Sequence, residues 1–300
     1  MRLDGIDGGH LFGLMAGLGT LALLDEHSQL QQLPSPRLHF DPRGTAEITE
    51  SPLSPTAMVD AILERIQAAR VFYEKQLSPF KKPTDLTRVA FLELASTASR
   101  GELAVLAGLA CCVGDEVVES SLCAANGASH QNLVQSIRDV LSLVGKPHIH
   151  AALFAPWRKH YEVSDDSRKQ LGLGNRKPTL RLDPADERLY ALRLSNPTTT
   201  DDFRTEIGAQ ALAVFAFAQL PALPRARPVS VASRRSGNRV FFDWALWGTP
   251  ATLVTIRSLL AVGIDDPDQL RARGALMAFR VARVSGSKGK LSFSPSQGMW

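Results

Sequence analysis

The stretch VSVASRRSGNRVFFDW, residues 229–244, is the part of the chain from which the rest can be understood. Its first three residues and Arg239–Trp244 are rich in β-branched and aromatic side chains, which predicts two strands. Between them, Ser233–Asn238 is polar and contains glycine, which predicts a loop at the tip of a hairpin. Arg234 and Arg235 then stand side by side at this tip, where their guanidinium groups can reach phosphate. A hairpin tip also tolerates charge without any function.

The surrounding last quarter of the chain, residues 221–300, is strongly basic. It holds twelve Lys and Arg residues against four Asp residues, a balance of +8 in a chain whose formal net charge is only +4. Residues 1–220 therefore carry −4, and the modest overall charge hides an acidic body and a basic end. A positive surface attracts polyanions and makes their binding dependent on salt.

Aromatic residues are interleaved with these cations, and the combination predicts a surface for single-stranded nucleic acid. The alternative is that the rings pack in the core while the cations line a solvated face. We expect Arg234, Arg235 and Arg239 to bind phosphate. The residues expected to extend that surface are Arg280, Arg283, Lys288 and Lys290.

The apolar run Leu11–Leu24 predicts a buried helix near the start of the chain. It has about fourteen residues, fewer than the roughly twenty that span a bilayer, and its leading flank is acidic, unlike a secretory signal. We therefore expect no membrane contact. Gly9, Gly13 and Gly17 fall four residues apart and form one small-residue stripe, so the helix is expected to pack closely against another backbone.

The remaining segments predict an α+β protein, in which a helical N-terminal part packs on a strand-rich C-terminal part. We expect residues 1–160 to be mainly helical and residues 178–300 to form the strand-rich basic part, or both to form one continuous domain. The polar stretch 159–177 is the candidate boundary. The predicted helices are 55–75, 85–98, 131–144, 203–219 and 249–260; the predicted strands are 37–40, 179–182 paired with 189–194, and 276–284.

Cysteine and histidine usage argues against a bound metal or cofactor. The three cysteines include no C-x-x-C pair, so reduced thiols in a cytoplasmic protein are expected. His148 and His150 share a face only if they lie in a strand, and no third ligand stands at a suitable spacing. Asp265, Asp266 and Asp268 are expected to favour the start of a helix rather than to bind a metal.

Catalytic motifs are also absent from the sequence. There is no nucleophile elbow, no H-E-x-x-H, no Walker motif and no kinase set, so we predict no catalytic residue and no enzymatic activity. A triad can still be assembled in space from distant residues. An unrecognised hydrolase therefore stays open as an alternative, and it requires a cleft in which a histidine meets a carboxylate and a nucleophile.

Six stretches follow one another along most of the chain: Leu3–Asp7 with Leu11–Leu24, LFAPWR at Leu153–Arg158, RLDPADERLYALR at Arg181–Arg193, GAQALA at Gly208–Ala213, FDWALW at Phe242–Trp247, and Val254–Leu260. In this order they resemble stretches of CRISPR-associated proteins of subtype I-G (formerly I-U). Gln210 and Ala245 depart from the pattern, which has Asn and Pro at these places.

The resemblance implies a non-catalytic effector subunit, or an extension associated with the helicase–nuclease, in RNA-guided DNA interference. In such systems protein subunits hold nucleic-acid backbone while base pairing reads the sequence. The implied partners are crRNA, target DNA, other effector subunits and the helicase–nuclease. It also implies that Trp244 and Trp247 pack the core, which makes them weaker candidates for stacking. A protein–protein adaptor without nucleic-acid contact is the alternative, and a large exposed apolar patch would indicate it.

Overall fold

Helix α1 (Leu11–Gln31) lies in the interior, because its first fourteen residues are almost all apolar or small and are buried on every side. In the computed structural model the described residues are 1–77, 80, 83–123, 133–157, 179–183, 205–224, 229–236, 239–262, 264–285 and 291–300. Within them the protein is α+β, with most helices in the N-terminal part and most strands in the C-terminal part.

Close packing of α1 against other backbones follows from its glycines, as the sequence predicted. A Cβ atom on Gly13 would lie 1.9 Å from the carbonyl oxygen of Asp7 in the first strand, and one on Gly19 would lie 1.8 Å from that of Leu212. Only glycine permits these approaches. Gly19 was not part of the predicted stripe, and Gly9 precedes the helix instead of belonging to it.

A small antiparallel sheet packs beside α1. Its strands are β1 (Arg2–Asp7), β2 (Arg37–Phe40) and β3 (Thr45–Thr49), in the order β1-β3-β2. The prediction for residues 37–40 is confirmed, with Leu38 and Phe40 buried and their neighbours half-buried. The β2–β3 turn ends at Gly44, whose φ of 86° is a conformation that favours glycine.

Among the described residues, the other N-terminal elements are five α-helices and a hairpin. Ser54 caps helix α2 as predicted, since its hydroxyl accepts a hydrogen bond from Ala57 N. Residues 101–114, whose type the sequence left uncertain, form the rest of a helix and then a strand. The bounds are α2 (Pro55–Lys75), α3 (Arg88–Thr97), α4 (Arg100–Leu109), β4 (Ala110–Val113), β5 (Glu116–Glu119), α5 (Leu133–Leu143) and α6 (Lys146–Phe154).

Among the described residues, the C-terminal part is built on a five-stranded antiparallel sheet with three α-helices beside it. The sheet order is β11-β10-β9-β8, and β12 also pairs with β10. The bounds are α7 (Ile207–Ala216), β6 (Ala222–Leu223), β7 (Val229–Ser230), β8 (Ser233–Ser236), β9 (Arg239–Trp247), α8 (Leu253–Ala261), α9 (Pro267–Ala272), β10 (Ala275–Ser285), β11 (Leu291–Phe293) and β12 (Gln297–Gly298).

Three predictions about this part need correction. Residues 233–236 are a strand and not a loop. The helix predicted to start at Thr249 starts at Leu253, where the hydroxyl of Thr252 caps it. Residues 179–182, predicted as the first strand of a hairpin, form no strand; the buried amide of Gln210 accepts from Leu180 N at 3.0 Å instead. The predicted partner strand, residues 189–194, lies outside the described residues.

One hydrophobic core extends through both predicted parts of the chain. Its members run from Leu3 to Phe293, and α1 packs against α7. Two tryptophans of β9 hydrogen-bond the C-terminal sheet to the N-terminal part: the indole of Trp244 donates to Gly8 O, just after β1, at 2.9 Å, and that of Trp247 donates to Leu38 O of β2 at 2.7 Å. The candidate boundary, 159–177, lies outside the described residues.

Over the described ranges, none of the helices has both the length and the apolar character that crossing a membrane requires.

Candidate nucleic-acid interface

The C-terminal sheet has two faces because side chains alternate along each strand. Phe242, Trp244 and Leu246 of β9 point into the main core. We call this side the inner face. The opposite side, the outer face, carries Phe241 and Asp243 of β9. The β10 and β8 residues that share the outer face by register are Ala278, Arg280 and Ala282, and Arg234 and Ser236.

Part of the outer face is covered and part is open. At one end Ala245 and Ala278 pack with Ile264 and Leu270 in a small second core under α9. Farther along, Phe241 is half-buried and Arg239 is exposed. The outer face is therefore an accessible strand surface that carries the ring of Phe241 and several arginines.

Arg234 and Arg235 lie on β8 rather than at a hairpin tip, which corrects the prediction made from the sequence. Ser233–Ser236 pairs residue by residue with Arg239–Phe242, so the strand pairing reaches across the segment predicted as a loop. Polar residues can occupy this strand because β8 is an edge strand, where charged side chains are common. Being neighbours on a strand, the two arginines point to opposite faces.

The seven predicted phosphate-binding residues therefore do not form one group. Arg234, Arg239 and Arg280 belong to the outer face. Arg235 of β8 and Arg283 of β10 both pair with Val240 of β9, so they belong to the margin of the inner face. Lys288 and Lys290 lie outside the described residues.

Asp243 is the centre of the outer face and holds two of its arginines. The guanidinium of Arg280 donates from Nε to Oδ1 at 2.7 Å and from Nη2 to Oδ2 at 2.9 Å, while Arg234 Nε lies 2.9 Å from Oδ2. Arg234 also reaches Asp265, with Nη1 2.5 Å from Oδ1. These two arginines thus face two carboxylates, and their local charge is largely balanced.

Burial dominates the electrostatics of Asp243, whose side chain is only 6% exposed. It raises the pKa of the carboxyl to about 6; Arg234 lowers it and Asp265 raises it further. This role of Asp243 was not predicted from the sequence, although strand alternation over residues 239–247 places Asp243 on the same face as Arg239.

Phe241 is the outer-face ring that the sequence did not single out. The guanidinium carbon of Arg280 lies 5.5 Å from its ring centroid, within the range of a cation–π contact. Trp244 and Trp247, the weaker stacking candidates, are buried in the core and are hydrogen-bonded there. Phe241 is consequently the aromatic residue of β9 that a base could approach.

Arg235 and Arg239 make no hydrogen bond or ion pair within the described part of the chain, and both are exposed. Arg283 differs from them because it is largely buried. Its Nη2 donates to Cys123 O at 3.2 Å, and burial lowers the pKa of its guanidinium. Arg283 therefore fastens β10 to the segment after β5, whereas Arg235 and Arg239 have guanidinium groups available to a ligand.

Among the described residues, the contacts of His10 with Asp7 and Ser296 bear on the hydrolase alternative. His10 Nε2 lies 3.4 Å from Asp7 Oδ2, and His10 Nδ1 lies 3.2 Å from Ser296 Oγ. However, the His10 and Asp7 side chains are 64% and 56% exposed, so water competes for each contact. A catalytic triad keeps its carboxylate buried to hold the imidazole. We interpret these contacts as a surface link between the β1–α1 turn and the C-terminal segment.

The metal alternatives find no support in the described ranges, which contain no group of three or more His, Cys, Asp or Glu side chains arranged to hold an ion. His148 and His150 lie on helix α6, where His148 Nδ1 accepts from Gly145 N at 2.9 Å. The aspartates lie at the start of a helix, as predicted, and the carboxylate of Asp266 caps α9 by accepting from Gln269 N.

Comparison with known proteins gives no further guide: no protein-family model matches the chain, and no curated protein matches it.

Proposed function

We propose that this protein is a non-catalytic component of a CRISPR RNA-guided DNA interference system, and that it binds nucleic-acid backbone on the outer face of its C-terminal sheet. The observation that carries the proposal is the open part of this face, where the exposed Arg239, which has no hydrogen-bond or ion-pair partner among the described residues, lies beside the half-buried ring of Phe241. The resemblance to subtype I-G proteins supplies the biological setting, with crRNA or target DNA as the ligand.

Each residue of the face has a distinct part in binding. Arg239 meets a phosphate directly, since no carboxylate has to be displaced. Arg280 and Arg234 are held in fixed positions by Asp243, so their remaining N–H groups meet a backbone with little loss of side-chain freedom. Phe241 offers a ring for a base, a contact worth about 1–3 kcal/mol.

Arg235 extends the basic surface around the edge strand β8. A single strand crossing this edge would contact Arg239 on one side and Arg235 on the other. Sequence-independent contacts of this kind suit a subunit that holds backbone while the guide RNA reads the bases. The interference system acts on DNA inside the cell, so the proposal places the protein in the cytoplasm.

Binding of fluorescent single-stranded and duplex DNA and RNA, titrated over salt, tests the proposal. Affinity that falls steeply with salt supports it, because displaced counterions accompany phosphate contacts. Absence of binding at low salt would remove the nucleic-acid role. It would favour the second candidate, a protein–protein adaptor, for which an apolar groove on the helical part provides an observation.

A further inference from the structure

The helical part contains an open groove of about 780 Å³ on the side formed by α1, α2, α4 and α8. Its floor is apolar and includes Leu23, Ala69, Phe72 and Val105. None of the outer-face arginines contributes to its lining. The groove is therefore a separate surface, and its occupant has to be argued from its own residues.

The rim of the groove exposes large apolar side chains. Val254 on α8 is 71% exposed and Val71 on α2 is 51% exposed. Exposed apolar groups bordering an apolar channel mark a contact with another protein more often than a solvated surface. A channel between helices also suits an amphipathic helix, whose apolar side chains recur at positions i, i+3, i+4 and i+7.

The charge of the rim decides which kind of helix fits. Asp25 and Glu26 on α1 and Glu102 on α4 line the groove together with Arg257, whose Nε donates to Gln219 Oε1 at 2.6 Å. Arg65 lies outside the lining, with Nη1 3.9 Å from Glu26 Oε1, so three carboxylates face two cations. The negative balance repels nucleic acid and acidic segments, and it attracts Lys and Arg.

We infer that this groove binds a basic amphipathic helix of a partner protein, with the apolar face of the helix on the floor and its Lys or Arg residues beside Asp25, Glu26 and Glu102. The inference does not depend on nucleic-acid binding, because the groove and the outer face share no residue. It gives the protein a second surface, through which it joins a larger assembly.

A synthetic helical peptide of about eighteen residues, with Leu on one face and Lys on its flanks, is the probe. A second peptide keeps the Leu positions and replaces every Lys with Glu. We expect fluorescence anisotropy to show binding of the basic peptide and at least about tenfold weaker binding of the acidic one, a difference of about 1.4 kcal/mol.

Val254→Lys is expected to weaken binding of the basic peptide by at least tenfold, because it replaces an apolar side chain on the rim with a polar, positively charged one. Val89→Lys is the matched control: Val89 is 65% exposed on α3 and does not line the groove. Asp25→Asn with Glu26→Gln should weaken the basic peptide about two- to tenfold. If Val254→Lys fails to fold, Val71→Ser carries the same test.

The inference is overturned if the basic peptide does not bind, if both peptides bind equally, or if Val89→Lys weakens binding as much as Val254→Lys. It is also overturned if light scattering shows a dimer that Val254→Lys dissociates, since the groove would then belong to a second copy. Nucleic-acid titrations on the same variants separate this result from the proposed function, because Val254→Lys leaves the outer face intact.

Discussion

Arg280 and Asp243 lie directly opposite each other on β10 and β9, and the guanidinium donates two hydrogen bonds to the carboxylate, at 2.7 and 2.9 Å. The basic stretch of the sequence is therefore ordered around one acid, because Asp243 holds both Arg280 and Arg234 in place. The accessible cations are then those that Asp243 does not hold.

Removing Arg280 tests this array through stability. Arg280→Ala leaves the buried Asp243 with Arg234 as its remaining close partner, and we expect the free energy of unfolding at pH 7.5 to fall by about 3 kcal/mol. Urea denaturation measures the change. Arg280→Lys should recover only part of the loss, since an ammonium group cannot form the two parallel bonds. A variant as stable as the native protein would refute the structural role of the pair.

The raised pKa of Asp243 gives a pH dependence with a defined sign. The folded carboxyl takes up its proton near pH 6 and the unfolded one near the ordinary value of 3.8, so between these values the folded state binds more protons. The stability contributed by this group is fully present below 3.8 and is lost as pH rises through about 6.

Comparing the native protein with Asp243→Asn between pH 7.5 and 4.5 isolates this effect, since asparagine does not titrate. The native protein should gain stability relative to the variant as the pH falls, by up to about 1.4 kcal/mol per pH unit. Asp268→Asn, which removes an exposed carboxylate, serves as the control. A relative loss of stability at low pH would show that the arginines, and not burial, dominate the pKa of Asp243.

The contact between α1 and α7 gives a prediction about packing. Gly19→Ala would place a Cβ atom 1.8 Å from Leu212 O, so the two helices must separate. We expect a loss of about 3 kcal/mol or more in thermal or urea unfolding. Gly101→Ala is the matched control, because nothing lies within 4 Å of the added Cβ in α4. It should be neutral or stabilise by up to about 1 kcal/mol.

Tyr73 gives a prediction in which the substitution is not expected to lower the free energy of unfolding. Its hydroxyl is buried without a hydrogen-bond partner among the described residues, and burial raises its pKa. Tyr73→Phe removes the unsatisfied group while keeping the ring, so the free energy of unfolding should stay constant or rise by about 1 kcal/mol. A loss of more than about 1 kcal/mol would mean that the hydroxyl is bonded in the folded protein.

Local signals in the sequence were sufficient for many elements. Ser54 followed by a proline specified the start of α2, and the alternation of residues 37–40 specified β2. Both depend on neighbours in the chain. By contrast, β8 has the composition of a loop, and it becomes a strand only because β9 offers it a pairing edge. Gln210, an ordinary helix residue in the sequence, holds residues 179–180 through bonds that no local pattern encodes.

The location of the candidate site in the last quarter of the chain stays a prediction, whereas the structure changes how its residues are organised. Net charge and aromatic content pointed to the last quarter of the chain, and Arg239 is indeed exposed there. Charge counting could not show that Asp243 pairs with Arg234 and Arg280, or that the half-buried Arg283 donates a hydrogen bond to Cys123 O. Those facts depend on strand register, which a sequence restricts only weakly where polar residues line an edge.

Salt-titrated binding of a fluorescent single-stranded oligonucleotide to native protein, Arg239→Ala and Arg43→Ala tests the central claim most directly. Arg43 is the matched control, an exposed arginine in the β2–β3 turn away from the outer face. We predict that Arg239→Ala weakens binding and reduces the slope of log affinity against log salt by about 0.7, the value for one phosphate contact on a single strand. Arg43→Ala should change neither quantity. Equal effects of the two substitutions, or no binding by the native protein at low salt, would contradict the account.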